Sequence, residues 1–190
     1  MTTKYDIEPF RAAIESIHRL LAQYNNRGVI IGGIAVGFLG RPRLTEDVDA
    51  MFLLSREEIP RFLEDAAQEN ILPRIPDAEL FARKNRVLLL KHVPTSVNID
   101  ISLGILPFEE EVVNRSQVQS SSTLSVRLPT PEDLIVMKAV AHRPKDLEDI
   151  RTIADKQTNL DKGYIKNWVQ QFAEILEMPA LWDDIDVMLK

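Results

Sequence analysis

Cysteine is absent from the chain, which excludes disulfides, thiol nucleophiles and thiolate metal sites, and makes a reducing cytoplasm the expected location. Histidine is sparse. His18, His92 and His142 show no metal-ligand spacing and are expected to be structural or exposed; no His-Asp pair marks a phosphohydrolase. Long apolar runs are missing too: the longest, Val29 to Leu39, is eleven residues with three glycines, too short to span a bilayer. The first six residues, Met1 to Asp6, lack the apolar core of a signal peptide. There is no excess of positive charge. Against 29 acids stand 23 Lys and Arg, a net charge of −6, so no broad DNA binding is expected. No internal repeat or low-complexity tract is visible. What remains is 190 residues of ordinary composition, enough for one good core or two small ones packed together.

Hydrophobic periodicity organises those residues into two halves. Ile7, Phe10, Ile14, Ile17, Leu20 and Leu21 predict an amphipathic helix over residues 7–24, ended by Asn25-Asn26-Arg27-Gly28. Val29-Ile30-Ile31 reads as a short buried strand, Ala35 to Leu39 as a small-residue helix, and Asp47 to Leu54 as a second strand. Ser55 is expected to cap a helix reaching about Glu69, with Glu58 completing a capping box. Residues 73–86 carry no clear pattern. Val87–Val93 and Val97–Leu103 form a strand pair turning at Pro94-Thr95-Ser96. A polar connector is expected over Ser116–Ser125. Beyond it, Thr130 as N-cap and Pro131 in the first turn open a helical region, with helices near 131–142, 145–157, 162–176 and 179–189. The expected domains are a core over 1–127 and a helical unit over 128–190.

Chemistry concentrates between Gly32 and Asp49. On a strand, side chains alternate, so Asp47 and Asp49 share one face while Val48, Ala50, Phe52 and Leu54 take the other. Two adjacent like charges repel, and a divalent cation such as Mg²⁺, held by one or two carboxylates plus substrate phosphates, removes that penalty. Asp100 adds a third carboxylate on the polar face of the strand Val97–Leu103. Gly32 and Gly33 offer backbone N–H groups free of Cβ bulk, as a phosphate cradle requires. A tight strand-to-helix turn would need the same residues. Lys138 is the only charge between Leu134 and Ala141; either its stem lies along apolar surface with the ammonium in water, or it is a phosphate-binding cation. Lys145 to Asp149 reads as a solvated charged face. In the segment from Pro73 to Lys91, Arg74, Arg83, Lys84, Arg86 and Lys91 outnumber Asp77 and Glu79, a patch suited to an RNA acceptor or to a nucleotide.

The run Gly32-Gly33-Ile34-Ala35 through Arg43-x-Thr45-x-Asp47-x-Asp49 resembles the signature of the DNA polymerase β-like nucleotidyltransferase superfamily. The Gly-Gly-x-Ala form and Lys138…Arg143-x-Lys145-Asp146-x-x-Asp149-Ile150 resemble the subgroup containing the AbiEii-type abortive-infection toxins. The resemblance covers roughly residues 29–150. It implies an α+β fold, with a nucleotidyltransferase-like mixed β-sheet flanked by helices and followed by a C-terminal helical bundle. It also implies transfer of a nucleoside monophosphate from an NTP to a hydroxyl on tRNA, protein or a small molecule. Asp47, Asp49 and Asp100 would hold two Mg²⁺ ions, with Mn²⁺ as a substitute; Gly32, Gly33, Arg43, Thr45, Lys138 and Asp146 would serve the nucleotide. An antitoxin protein would be a partner. One departure is Gly33, which stands where much of the superfamily has a serine, so a hydroxyl contact to phosphate is missing. The alternatives are a non-catalytic nucleotide-binding module of the same fold and a metal-dependent phosphohydrolase using the same carboxylates.

Overall fold

The computed structural model describes residues 7–120 and 124–189. The N-terminal Met1 to Asp6 and residues 121–123 of the expected connector lie outside the described residues. The alternating strands assemble into a five-stranded mixed sheet from β1 (Gly28–Ile30), β2 (Asp47–Leu53), β3 (Ile71–Pro73), β4 (Val87–His92) and β5 (Val97–Gly104), in the order β1-β2-β5-β4-β3. Only β2 and β5 run parallel. Their alternation works as expected: Val48, Ala50, Ile99 and Ile101 are buried, while Asp47, Asp49 and Asp100 face the cleft half-buried.

Helix α1 (Arg11–Gln23) buries Ala13, Ile14, Ile17, Leu20 and Leu21, and ends where Asn25 and Asn26 turn the chain at positive φ, which asparagine tolerates. Helix α2 (Gly32–Leu39) starts three residues before the expected Ala35. Ile31 is the last extended residue, donating its N–H to Asp49 O at 2.9 Å, and Gly32 turns the chain at φ +62. The expected cap at Ser55 is corrected. Ser55 and Glu58 close a turn instead, the Glu58 carboxylate accepting the Ser55 N–H at 2.9 Å and pairing with Arg27; α3 (Ile59–Gln68) begins only there, with Pro60 in its first turn.

Two helices had no clear sequence pattern, α4 (Ala78–Asn85) and α5 (Pro107–Arg115). A third difference concerns the expected polar connector. Residues 117–120 form β6 (Gln117–Ser120) and pair with β7 (Ser125–Leu128) in an antiparallel hairpin, which buries Val126 and Leu128 beside β1. The remaining helices are α6 (Pro131–Ala141), α7 (Pro144–Lys156), α8 (Lys162–Ile175) and a shorter α9 (Leu181–Asp186). Thr130 caps α6 as expected, its Oγ1 accepting the Asp133 N–H at 3.2 Å.

One hydrophobic cluster includes residues on both sides of position 128, from Ala13 to Leu189. Phe108 of α5 packs against Trp168 and Phe172 of α8 with ring centroids 5.0 and 5.4 Å away. Arg115, Thr130 and Tyr164 all hydrogen-bond the fully buried Asp133. Apolar and polar contacts together thus fix the C-terminal helices on the sheet-bearing half.

Candidate active site

Strand register brings the acids together. Asp49 lies beside Asp100 in the parallel β2–β5 ladder, Asp47 lies beside Asn98, and one oxygen from each of Asp47, Asp49 and Asp100 falls within 4.8 Å of the other two. Thr45 Oγ1 donates to Asp47 Oδ1 at 3.1 Å and fixes its orientation. Burial, then repulsion from Asp47 and Asp100, pushes the Asp49 carboxyl up to about 6. Burial and Asp47 also raise Asp100, although Arg74 opposes them by donating from Nη2 to Asp100 Oδ1 at 2.7 Å. The cluster therefore carries more negative charge than its surroundings neutralise. That is the donor chemistry a hard divalent cation fits, and Asp47, Asp49 and Asp100 could hold one.

The two glycines make room for these acids. A Cβ on Gly32 would lie 1.9 Å from Asp49 Oδ2, and one on Gly33 would lie 2.7 Å from Thr45 Oγ1. Their first function in the structure is to admit the chain's own side chains. The same turn opens α2, whose first N–H groups have no intrahelical acceptor.

Opposite the acids, α6 and α7 bring in cations. Lys138 is buried, and Nζ donates to Asp146 Oδ1 and lies 2.9 Å from Asp149 Oδ2. Asp149 also receives both forks of Arg43, Nε at 2.8 Å and Nη2 at 3.1 Å. Asp146 accepts from the Arg143 guanidinium and from its backbone N–H. Burial alone would raise Asp146, but the hydrogen bonds from Arg143 and Lys138 hold it below the ordinary range. The expectation of a solvated face at Lys145–Asp149 is thus corrected: Asp146 and Asp149 are buried because they share a helix face with Ile150 and Ile153 and find cations there. Of the two readings of Lys138, the stem is indeed apolar-packed, but the ammonium meets carboxylates rather than bulk water.

These groups line one cleft of about 350 Å³, which contains every expected site residue: Gly32, Gly33, Arg43, Thr45, Asp47, Asp49, Asp100, Lys138 and Asp146. Arg143, Lys145, Ser102 and Met137 also line it, with Ile31, Leu134 and Ala141, and no histidine does among the described residues. Sequence reasoning missed the contact of Arg74 with Asp100, because Arg74 follows a three-residue strand in a segment without clear periodicity. It also missed Asp149 as the anchor of Arg43. The basic segment is thinner than its composition suggests, since Arg83 pairs with Glu79 and Arg86 with Glu109 and Leu103 O.

No curated protein matches the chain. Among solved structures it is similar to an antigenic nucleotidyltransferase-like protein from Paracoccidioides brasiliensis, at 14% identity over 92% of this chain and 91% of that one, with a TM-score of 0.49. It is also similar to a candidate nucleotidyltransferase from H. pylori, at 15% identity over 92% and 80% of the two chains, with a TM-score of 0.45. The model of one family matches residues 8–177, nearly the whole chain. On that match the chain belongs to the family described as nucleotidyltransferases of unknown function, DUF6036.

Proposed function

We propose that the protein is a Mg²⁺-dependent enzyme that moves a nucleoside monophosphate from an NTP to a hydroxyl acceptor. The observation that carries this reading is the convergence of Asp47, Asp49 and Asp100 within 4.8 Å, facing the same cleft as Arg43, Lys138, Arg143 and Lys145. An acid end and a basic end in one cleft match the charge pattern of a metal-bound triphosphate.

Asp47, Asp49 and Asp100 would hold two Mg²⁺ ions, or Mn²⁺ in their place; bound there, the metal supplies a more acidic acceptor hydroxyl and charge neutralisation of the leaving pyrophosphate. Gly32 and Gly33 present backbone N–H groups to the phosphates at the start of α2. Lys138 has two donors committed to Asp146 and Asp149, which leaves its third N–H for a phosphate oxygen. Arg43, with Thr45 two residues on, is fixed by Asp149, and Asp146 holds Lys138 in place. In the transfer step the acceptor oxygen bonds to the α-phosphorus and the bond to the β-phosphate oxygen breaks. Pyrophosphate leaves, and the Asp100 carboxylate takes the hydroxyl proton. The helices after Leu128 act as the unit that closes the cleft.

A toxin role with an antitoxin partner belongs to the same reading and is supported by the Gly32-Gly33-Ile34-Ala35 form and the Lys138…Asp149 spacing. Its test is growth arrest on induced expression that Asp49→Asn abolishes. For the enzyme, the protein is incubated with each α-labelled NTP, Mg²⁺ and a pool of tRNA, cell protein and small hydroxyl acceptors. Label in one acceptor fraction, lost with Asp49→Asn, is the expected result. Label that persists in Asp49→Asn overturns the assignment, and nucleotide binding without transfer would favour the non-catalytic module.

A further inference from the structure

The sheet face that carries the acids continues beyond them. In register across β2, β5, β4 and β3, one row runs Asp47, Asn98, Lys91, Leu72, and the next runs Asp49, Asp100, Leu89 and then Arg74, whose N–H bonds Leu89 O at 3.0 Å. Asn98 and Leu72 are exposed, so the first row is open to solvent between the acids and the sheet edge. The opposite face of these strands is filled by Leu88, Leu90, Ile99 and Ile101. Two cations stand on the open face. Arg74 reaches across Leu89 to Asp100, and Lys91 has no ion pair among the described residues.

The position of these rows has chemical meaning. In-line displacement requires the entering hydroxyl and the leaving pyrophosphate to lie on opposite sides of the α-phosphorus. The cations suited to pyrophosphate, Arg43, Lys138, Arg143 and Lys145, line the cleft, whereas Leu72, Arg74, Leu89, Lys91 and Asn98 do not. The acceptor side is therefore the β5–β4–β3 face. Its unpaired cation lies two strand spacings, about 10 Å, from Asp47. Lys91 stands on this face opposite Asn98, and without an ion pair among the described residues its ammonium is available to an anionic group of a ligand whose hydroxyl lies over the acids.

We propose that this two-row face receives the acceptor and that Lys91 binds a phosphate ester of it, one that lies about 10 Å from the reacting hydroxyl. The proposal rests on Asp47, Asp49 and Asp100 being the catalytic acids. Such a phosphate belongs either to the end of a single-stranded nucleic acid or to a small phosphorylated hydroxyl compound. A protein hydroxyl or an uncharged small acceptor would have no use for Lys91.

Equilibrium binding tests this without requiring turnover. A fluorescently labelled hexaribonucleotide is titrated with the full chain, with Lys91→Gln and with Asp49→Asn at several salt concentrations, and adenosine 5′-monophosphate and adenosine are used as competitors. The expected result is binding to wild type and to Asp49→Asn, about tenfold weaker with Lys91→Gln. The slope of log affinity against log salt should fall by about 0.7 in that variant, one phosphate contact to a single strand. A hexamer with neutral methylphosphonate linkages should not distinguish Lys91→Gln from wild type. Competition by adenosine 5′-monophosphate but not by adenosine assigns the small phosphorylated class; competition by neither assigns the nucleic-acid end. The proposal is overturned if wild type and Lys91→Gln bind the hexamer equally, or if wild type does not bind it at 50 mM salt. Binding that depends on Lys91 in a protein that transfers nothing would instead refute the reading of the acids.

Discussion

Two groups of carboxylates sit on the two sides of one cleft and are treated by the fold in opposite ways. Asp146 and Asp149 are the more deeply buried, 0% and 2% exposed, yet hydrogen bonds from Lys138 and Arg143 keep Asp146 below its ordinary range. Asp47, Asp49 and Asp100 keep more exposure, yet burial and then repulsion from Asp47 and Asp100 push Asp49 up to about 6, and Arg74 is the only cation in hydrogen-bonding contact with the three among the described residues. Burial raises a carboxylate in both groups; the supply of cationic partners decides whether that rise survives. The first group is satisfied by the chain itself. The second is not, and a group whose own fold leaves it in excess charge is a candidate for chemistry.

This contrast predicts opposite responses to neutralising substitutions. The largest effect is expected on turnover: Asp49→Asn should lower the rate of nucleotidyl transfer by about 10³-fold or more, roughly 4 kcal/mol, while circular dichroism and melting show an intact fold. Wild-type turnover in that variant would erase the distinction between the groups. Next comes Asp146→Ala, which leaves the buried Lys138 ammonium with Asp149 alone and should cost about 1.5–3 kcal/mol of stability in urea unfolding. A loss below about 1 kcal/mol would mean that this pairing is not structural.

Lys138→Met sharpens the comparison from the cationic side. It should weaken binding of NTP with Mg²⁺ by about 1.5–3 kcal/mol and leave the corresponding nucleoside nearly unaffected. If both ligands weaken equally in calorimetry, the lysine serves only Asp146 and Asp149.

The smallest expected effect is the pH dependence of stability. The folded-state value of Asp49, about 6, lies above its ordinary 3.8, so its favourable contribution is fully present below about pH 4 and is lost as pH rises through 6. Relative to wild type without metal, Asp49→Asn should gain about 1–3 kcal/mol at pH 8 and nothing at pH 4. Asp146 has the opposite sign. Its depressed value makes its contribution complete above the ordinary carboxylate range and lost as pH falls through its folded-state value. Melting curves from pH 3 to 8 separate the two.

The acid group was legible in the sequence because strand alternation is a strict period, and Val97 to Leu103 displays it residue by residue. The satisfied group was harder to read. Lys145-Asp146-Leu147-Glu148-Asp149 looks like a solvated face unless it is noticed that Asp146 and Asp149 fall three or four residues from Ile150 and Ile153, the side that turns inward. Arg74 left no local signal at all. Its role depends on a strand of three residues and on a partner 26 positions away, which no periodicity reports. The β6–β7 hairpin escaped for a related reason, since serine-rich composition hid the alternation of Val126 and Leu128.

Gly32 carries a consequence for anyone altering this protein. Replacing glycines by alanine is a common route to greater stability, because it restricts the unfolded chain. At position 32 that route fails twice, since φ is +62 and the new methyl group would claim the space of the Asp49 carboxylate. A residue with no functional group is thus as intolerant of change as the acid it accommodates. Variation at Gly32 would displace the Asp49 carboxylate in a protein whose three carboxylates are all still encoded, so counting intact acids is not enough to infer an intact acid cluster.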